Sequence, residues 1–175
     1  MKAQLTIEYM ISFGVFISLV TYIYLLYSGN IPNFINEVEK EHIRSVGYQL
    51  SELLINNPGW LTNWEDGSMN EIKMIGLSNE TENKKNLISL NKVKALNDAC
   101  LSDYYFVQEK LGLNETFSIY FYTITSTGER GKPLLNCKPS VTKKTTISAT
   151  VRRITSFINT TDGTVGFGEL IVEVS

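Results

Sequence analysis

The residues of this 175-residue chain that could do chemistry are few and scattered. Glu8 is the most conspicuous. It borders Tyr9 to Asn36, which carries no charge, and a carboxylate beside a long apolar run is costly unless it is paired or wetted. Near a helix N-terminus it would be favoured by the macrodipole and by headgroup water. Cys100 and Cys137 have neither a zinc-knuckle nor a C-x-x-C spacing, which leaves a disulfide or two buried thiols. Placement outside the membrane favours the disulfide. The only histidine, His42, stands beside Glu39 and Glu41 and reads as a solvated helix position. Three N-x-T sequons, at Asn79, Asn114 and Asn159, fall in polar, turn-like stretches suited to glycosylation. There is no G-x-S-x-G, Walker or dinucleotide-binding glycine loop; Gly166 to Leu170 reads as strand-edge glycine. Glu65-Asp66-Gly67 lacks the further oxygen ligands of a calcium loop. These residues predict no enzyme, no metal and no cofactor.

The element that must position Glu8 is a helix apolar on every face, which is either a buried core helix or a membrane span. Met10 to Tyr27 would extend about 27 Å as a helix, close to the hydrocarbon thickness of a bilayer. A cleaved secretory signal peptide fits less well. The basic region is Lys2 alone, Glu8 precedes the apolar run, and Leu26 to Gly29 is a poor small-residue cleavage site. Lys2 on one side, with Glu37 and Glu39 on the other, predicts a cytoplasmic N-terminus and an external C-terminal domain.

The opening MKAQLTIEYM resembles the class III signal peptide of archaeal type IV pilin-like proteins. Lys2, Ala3, Gln4, Thr6, Glu8 and Tyr9 match the family pattern in order, with Thr6 where Ser is commoner. The resemblance implies that a prepilin peptidase cuts between Ala3 and Gln4, removing residues 1–3 and keeping the apolar helix. The new Gln4 α-amine, largely protonated near neutral pH, would pair with Glu8 of its own or a neighbouring subunit and set the register of packed helices. Tyr9 belongs to the same assembly motif. PGWLTNW, MIGLSN, LISLNKVKAL and YYFVQEKLGL carry a looser likeness to archaeal pilin-like proteins. The resemblance also implies N-glycosylation.

Beyond the apolar run, Gly29 and Pro32 predict a kink or short break. Phe34, Ile35, Val38, Ile43, Val46, Leu50, Leu53 and Leu54 then recur at helical spacing, with Glu37, Glu41, Arg44 and Glu52 opposite. Asn57-Pro58-Gly59 ends the helix. Trp60 and Trp64 read as loop residues sealing the edge of a core, although exposed tryptophans could instead bind carbohydrate or a membrane surface. IKMIGL suggests a short strand. LNKVKAL and SDYYFVQEKLG suggest short helices turning Leu90, Val93 and Leu96, then Tyr105, Val107 and Leu111, inward. From Phe117 the period becomes two: FSIYFYTIT, TTISATVRRITSFI and GELIVEV read as strands, the last two joined at Asp162-Gly163.

These elements predict an α+β fold: a long kinked N-terminal helix on an antiparallel C-terminal sheet of three or four strands, with short helices between. The expected division is a leader at 1–3, an apolar transmembrane or filament-core helix at 4–30, and an extracytoplasmic head at 31–175. A net charge of −2, with no Lys/Arg run longer than two, gives no footprint for nucleic acid. Two functions remain. One is a surface filament subunit, major or minor and adhesive, with other pilin subunits, the peptidase and the membrane as partners. The other is a single-pass anchored extracellular binding domain that never polymerises.

Overall fold

The computed structural model describes residues 2–67, 71–79, 86–140 and 147–175, with the side chains of residues 2–6 outside the description. The chain divides into two compact units, Met1–Glu41 and His42–Ser175. Helix α1, Lys2–Asn56, supplies the first unit and opens the second. It runs through Gly29 and Pro32 without the expected break in secondary structure. Pro32 deprives only the Ser28 carbonyl of its donor, one local bond in a helix of 55 residues.

The second unit is a two-layer α+β head. A 3₁₀ turn, Trp64–Asp66, is followed by β1 (Leu87–Ser89), α2 (Leu90–Ser102), α3 (Tyr104–Leu111), β2 (Phe117–Ile124), β3 (Arg130–Cys137), β4 (Ala149–Ile158) and β5 (Val165–Val174). The strand order is β1-β4-β5-β2-β3. Among the described residues only β1 runs parallel to its neighbour, at Leu87–Ser89 beside Ser156–Ile158. The sheet is therefore one or two strands wider than the alternating pattern predicts. β1 is too short to show a period, and β3, whose run contains Gly131 and Pro133, shows no clean alternation.

The strand register assigns each face. Phe117, Ile119 and Phe121 of β2, Leu135 and Cys137 of β3, Val151 of β4, and Leu170, Val172 and Val174 of β5 share one face and are buried. Ile43, Leu50 and Leu54 of α1 pack into the same core, together with Val93 and Leu96 of α2 and Val107 and Leu111 of α3. Phe34, Ile35 and Val38, expected on the same inward stripe, are exposed members of the first unit. Gly47 brings α1 close to the sheet: a Cβ there would lie 3.2 Å from Val151 Cγ2.

Other expectations are corrected in detail. Tyr105 points outward at 72% exposed, and Tyr104 turns toward Phe117 in its place, with rings stacked at 4.9 Å. IKMIGL is not a strand; it is a buried segment touching its surroundings through a Trp60–Met74 bridge, with Ile72, Ile75 and Leu77 in the core. Trp64 seals the core, its Nε1 donating to the Gly76 carbonyl at 2.8 Å, whereas Trp60 is exposed beneath the Lys73 ammonium.

Gly166 and Gly168 lie on an interior strand, not at a strand edge. A Cβ on Gly166 would meet Phe157 Cζ at 2.6 Å, and one on Gly168 would strike the Phe121 ring and the Tyr122 carbonyl. The two glycines make room for the edge-to-face pair Phe121–Phe157, whose centroids are 6.1 Å apart. Gly168→Ala is predicted to destabilise the head by about 1–3 kcal/mol through overpacking, read as a lowered midpoint in thermal unfolding followed by circular dichroism.

Candidate functional site

The candidate site is the surface of α1. From Tyr9 to Tyr27 its large apolar side chains are 45–72% exposed on every side of the helix. The helix is long and apolar enough to cross a membrane, with a mean hydropathy of 1.9 in its most apolar window. Two of its polar side chains are satisfied from within. Ser18 Oγ donates to the Gly14 carbonyl at 2.8 Å and Asn30 Nδ2 donates to the Leu26 carbonyl at 2.9 Å. Such i−4 bonding leaves neither of these two donors unmet in an apolar environment. Tyr9 stacks on Phe13 with ring centroids 6.4 Å apart.

Glu8 is exposed at the start of this surface. Ala3 and Gln4 lie in the first turns of α1, their side chains outside the described residues. Gln4 and Glu8 are four apart in one helix, hence one turn and about 6 Å along the axis, on a shared face.

The remaining predicted residues sit in the head, apart from one another. Cys100 and Cys137 are joined by a disulfide with Cα atoms 5.5 Å apart. It ties α2 to the end of β3, a strand that the sequence pattern does not reveal. His42 is 64% exposed, with Nε2 3.4 Å from Glu115 Oε1. Asn114 is exposed, and Asn159 is partly exposed at the β4–β5 turn, where its Oδ1 accepts from the Thr161 amide at 3.2 Å. Asn79 is buried at 7% exposure, out of reach of an enzyme acting on the folded chain; Glu80 and Thr81 of its sequon lie outside the described residues. At the same turn, hydrogen bonds from the Thr164 hydroxyl and amide hold the Asp162 carboxyl below its ordinary value.

Two interactions of the head escaped the sequence reading. Lys92 is only 3% exposed, and its ammonium donates to the Pro58 carbonyl at 2.7 Å and the Ser78 carbonyl at 3.1 Å. It pins the segment after α1 to the segment before β1. Lys92, Leu96 and Ala99 follow i, i+4, i+7 spacing, so Lys92 lies on the buried stripe, a signal present in the sequence but masked by the charge. Tyr104 donates its hydroxyl to the Phe117 carbonyl and accepts from the Phe117 amide, both at 2.9 Å. Burial pushes the Tyr104 phenol above its ordinary value, and the bond to Phe117 partly opposes this.

Comparison with protein-family models, curated proteins and solved structures finds no match. The functional reading therefore rests on the residues and their geometry.

Two outcomes follow. Lys92→Met is predicted to cost about 2–4 kcal/mol, because two carbonyls of half-buried residues lose a charged donor, measured by denaturant unfolding. Tyr104→Phe is predicted to cost about 1–2 kcal/mol near neutral pH. A raised phenol favours the protonated folded state, so Tyr104's contribution is complete below the ordinary tyrosine value. It declines as the pH rises through the folded value, and the gap between wild type and variant narrows there.

Proposed function

We propose that this chain is an archaeal type IV pilin-like subunit that assembles into a surface filament through α1. The observation that carries the reading is an apolar helix surface exposed on every side and headed by Glu8, one turn from Gln4. Cleavage between Ala3 and Gln4 by a prepilin peptidase frees the Gln4 amine. Before assembly the helix resides in the membrane with the N-terminus inside and the head outside. On assembly its apolar side chains exchange lipid for the helices of other subunits.

That exchange also gives Glu8 its role. Apolar helices packed side by side slide with little penalty, because their contacts are nondirectional. An ion pair inside the bundle costs several kcal/mol when unmade, so only registers that join a carboxylate to an amine are stable. Tyr9, next in the chain, stacks on Phe13. Asn114 and Asn159 are the accessible glycan acceptors of the folded head, and the Cys100–Cys137 bridge suits an oxidising exterior.

Shearing cells separates this role from that of a permanent anchor. A filament subunit is released into the sheared fraction, and an anchored binding domain stays with the membrane. Glu8→Ala is predicted to leave the membrane-bound pool intact while reducing the sheared pool at least tenfold, measured by immunoblotting of both fractions. Undiminished release of the variant would contradict the register role.

A further inference from the structure

The helices of the head cover one face of the sheet, and among the described residues no helix or strand packs on the other face. An antiparallel sheet with one wet face normally alternates apolar inward with polar outward. Here the outward set breaks that rule. On β5 it is Val165, Phe167, Glu169, Ile171 and Glu173; on β4 it includes Ile154 and Ile158; on β2 it includes Tyr120, Tyr122 and Ile124. Ile154, Val165 and Phe167 are 74%, 67% and 62% exposed; Phe167 is the diagonal neighbour of Ile154, and Val165 stands two residues before Phe167 on the same face of β5. Exposed apolar side chains gathered in one patch mark an interaction surface.

We infer that this face docks against the same face of a second copy of the chain, forming a two-fold sheet-on-sheet dimer of heads. Charge favours a copy over a partner of one sign. The bidentate pair Arg130–Glu169, at 2.5 and 2.8 Å, neutralises the middle of the face, with the guanidinium also stacked over Tyr122. Arg152 and Glu173, one of each sign, are exposed at the opposite end and make no ion pair among the described residues. A copy meeting a copy therefore faces no net charge.

The area is also sufficient. Four strands at about 4.8 Å spacing, with eight to ten residues at about 3.3 Å each, present roughly 500–600 Å² per copy. Two such faces reach the lower end of the range for a specific interface. The flat side chains Tyr120, Tyr122 and Phe167 suit the ~10 Å separation of packed sheets. The inference is independent of what α1 does, since every residue it uses lies in the head.

Cysteine cross-linking of the full chain in detergent micelles tests it. Both native cysteines are bridged, so Phe167→Cys introduces the sole free thiol, on the open face. Tyr105→Cys places one on the helix layer, at a residue of equal or greater exposure. With a homobifunctional maleimide that spans the gap between packed sheets, Phe167→Cys should form a covalent dimer and Tyr105→Cys should not. Adding Ile154→Asp to Phe167→Cys should reduce the cross-linked yield at least fivefold; Ile154 is too exposed for this change to unfold the head. Equal cross-linking at both positions would assign association to α1 alone and overturn the proposal. A chain uncross-linked at Phe167→Cys would also overturn it, leaving the face to a different protein or a polysaccharide.

Discussion

The structure depends on one unmet demand: the apolar surface of α1 has to be taken out of water. Between Tyr9 and Tyr27 every large side chain is about half or more exposed. At roughly 1–2 kcal/mol recoverable for each partly exposed side chain, their burial is worth on the order of 20 kcal/mol. That exceeds the ~5–15 kcal/mol net stability of a whole domain. A bilayer or a bundle of like helices would meet that demand. In water a carboxylate at a helix start is unremarkable, whereas at the edge of an apolar bundle it would need a partner, and the proposed register role of Glu8 follows from that need.

The head answers a different demand, which is to close a core on one face of the sheet. It does so with the last turns of α1, two short helices and a disulfide, and the fit is close enough that glycine is required where the chain comes nearest. Gly47 admits α1 to Val151, and Gly166 and Gly168 admit the rings of Phe157 and Phe121. Lys92 contributes a polar fastening at the centre of that construction, holding two carbonyls that no strand or helix satisfies. The same one-sided economy leaves Ile154, Val165 and Phe167 exposed on the outer face of the sheet.

Much of this was legible in the residues. The 3.6-residue period of α1, α2 and α3 and the two-residue period of β2, β4 and β5 each mark a face, and Leu170, Val172 and Val174 are buried as their alternation requires. What escaped has physical causes. β1 is three residues long and cannot display a period. β3 contains Pro133 and irregular register against β2, which disguise it. Gly29 and Pro32 suggest a break when taken alone, yet one missing hydrogen bond is a local loss that a long helix absorbs. Trp60 and Trp64 have the same local sequence character and opposite fates, because only Trp64 finds a carbonyl, that of Gly76, positioned by a distant segment. Of the candidate site, the apolar run and Glu8 were visible at once. Lys92 was not, since a lysine among apolar residues reads as solvent-facing until its partners are known.

The account turns on whether Glu8 has an amine to pair with, and the N-terminus of the mature protein decides that most directly. Intact mass and N-terminal sequencing of the chain from a native membrane or surface fraction should show that it begins at Gln4. A chain still beginning at Met1 would leave Glu8 without the partner on which register depends, and would contradict the assembly mechanism in favour of a permanent membrane anchor.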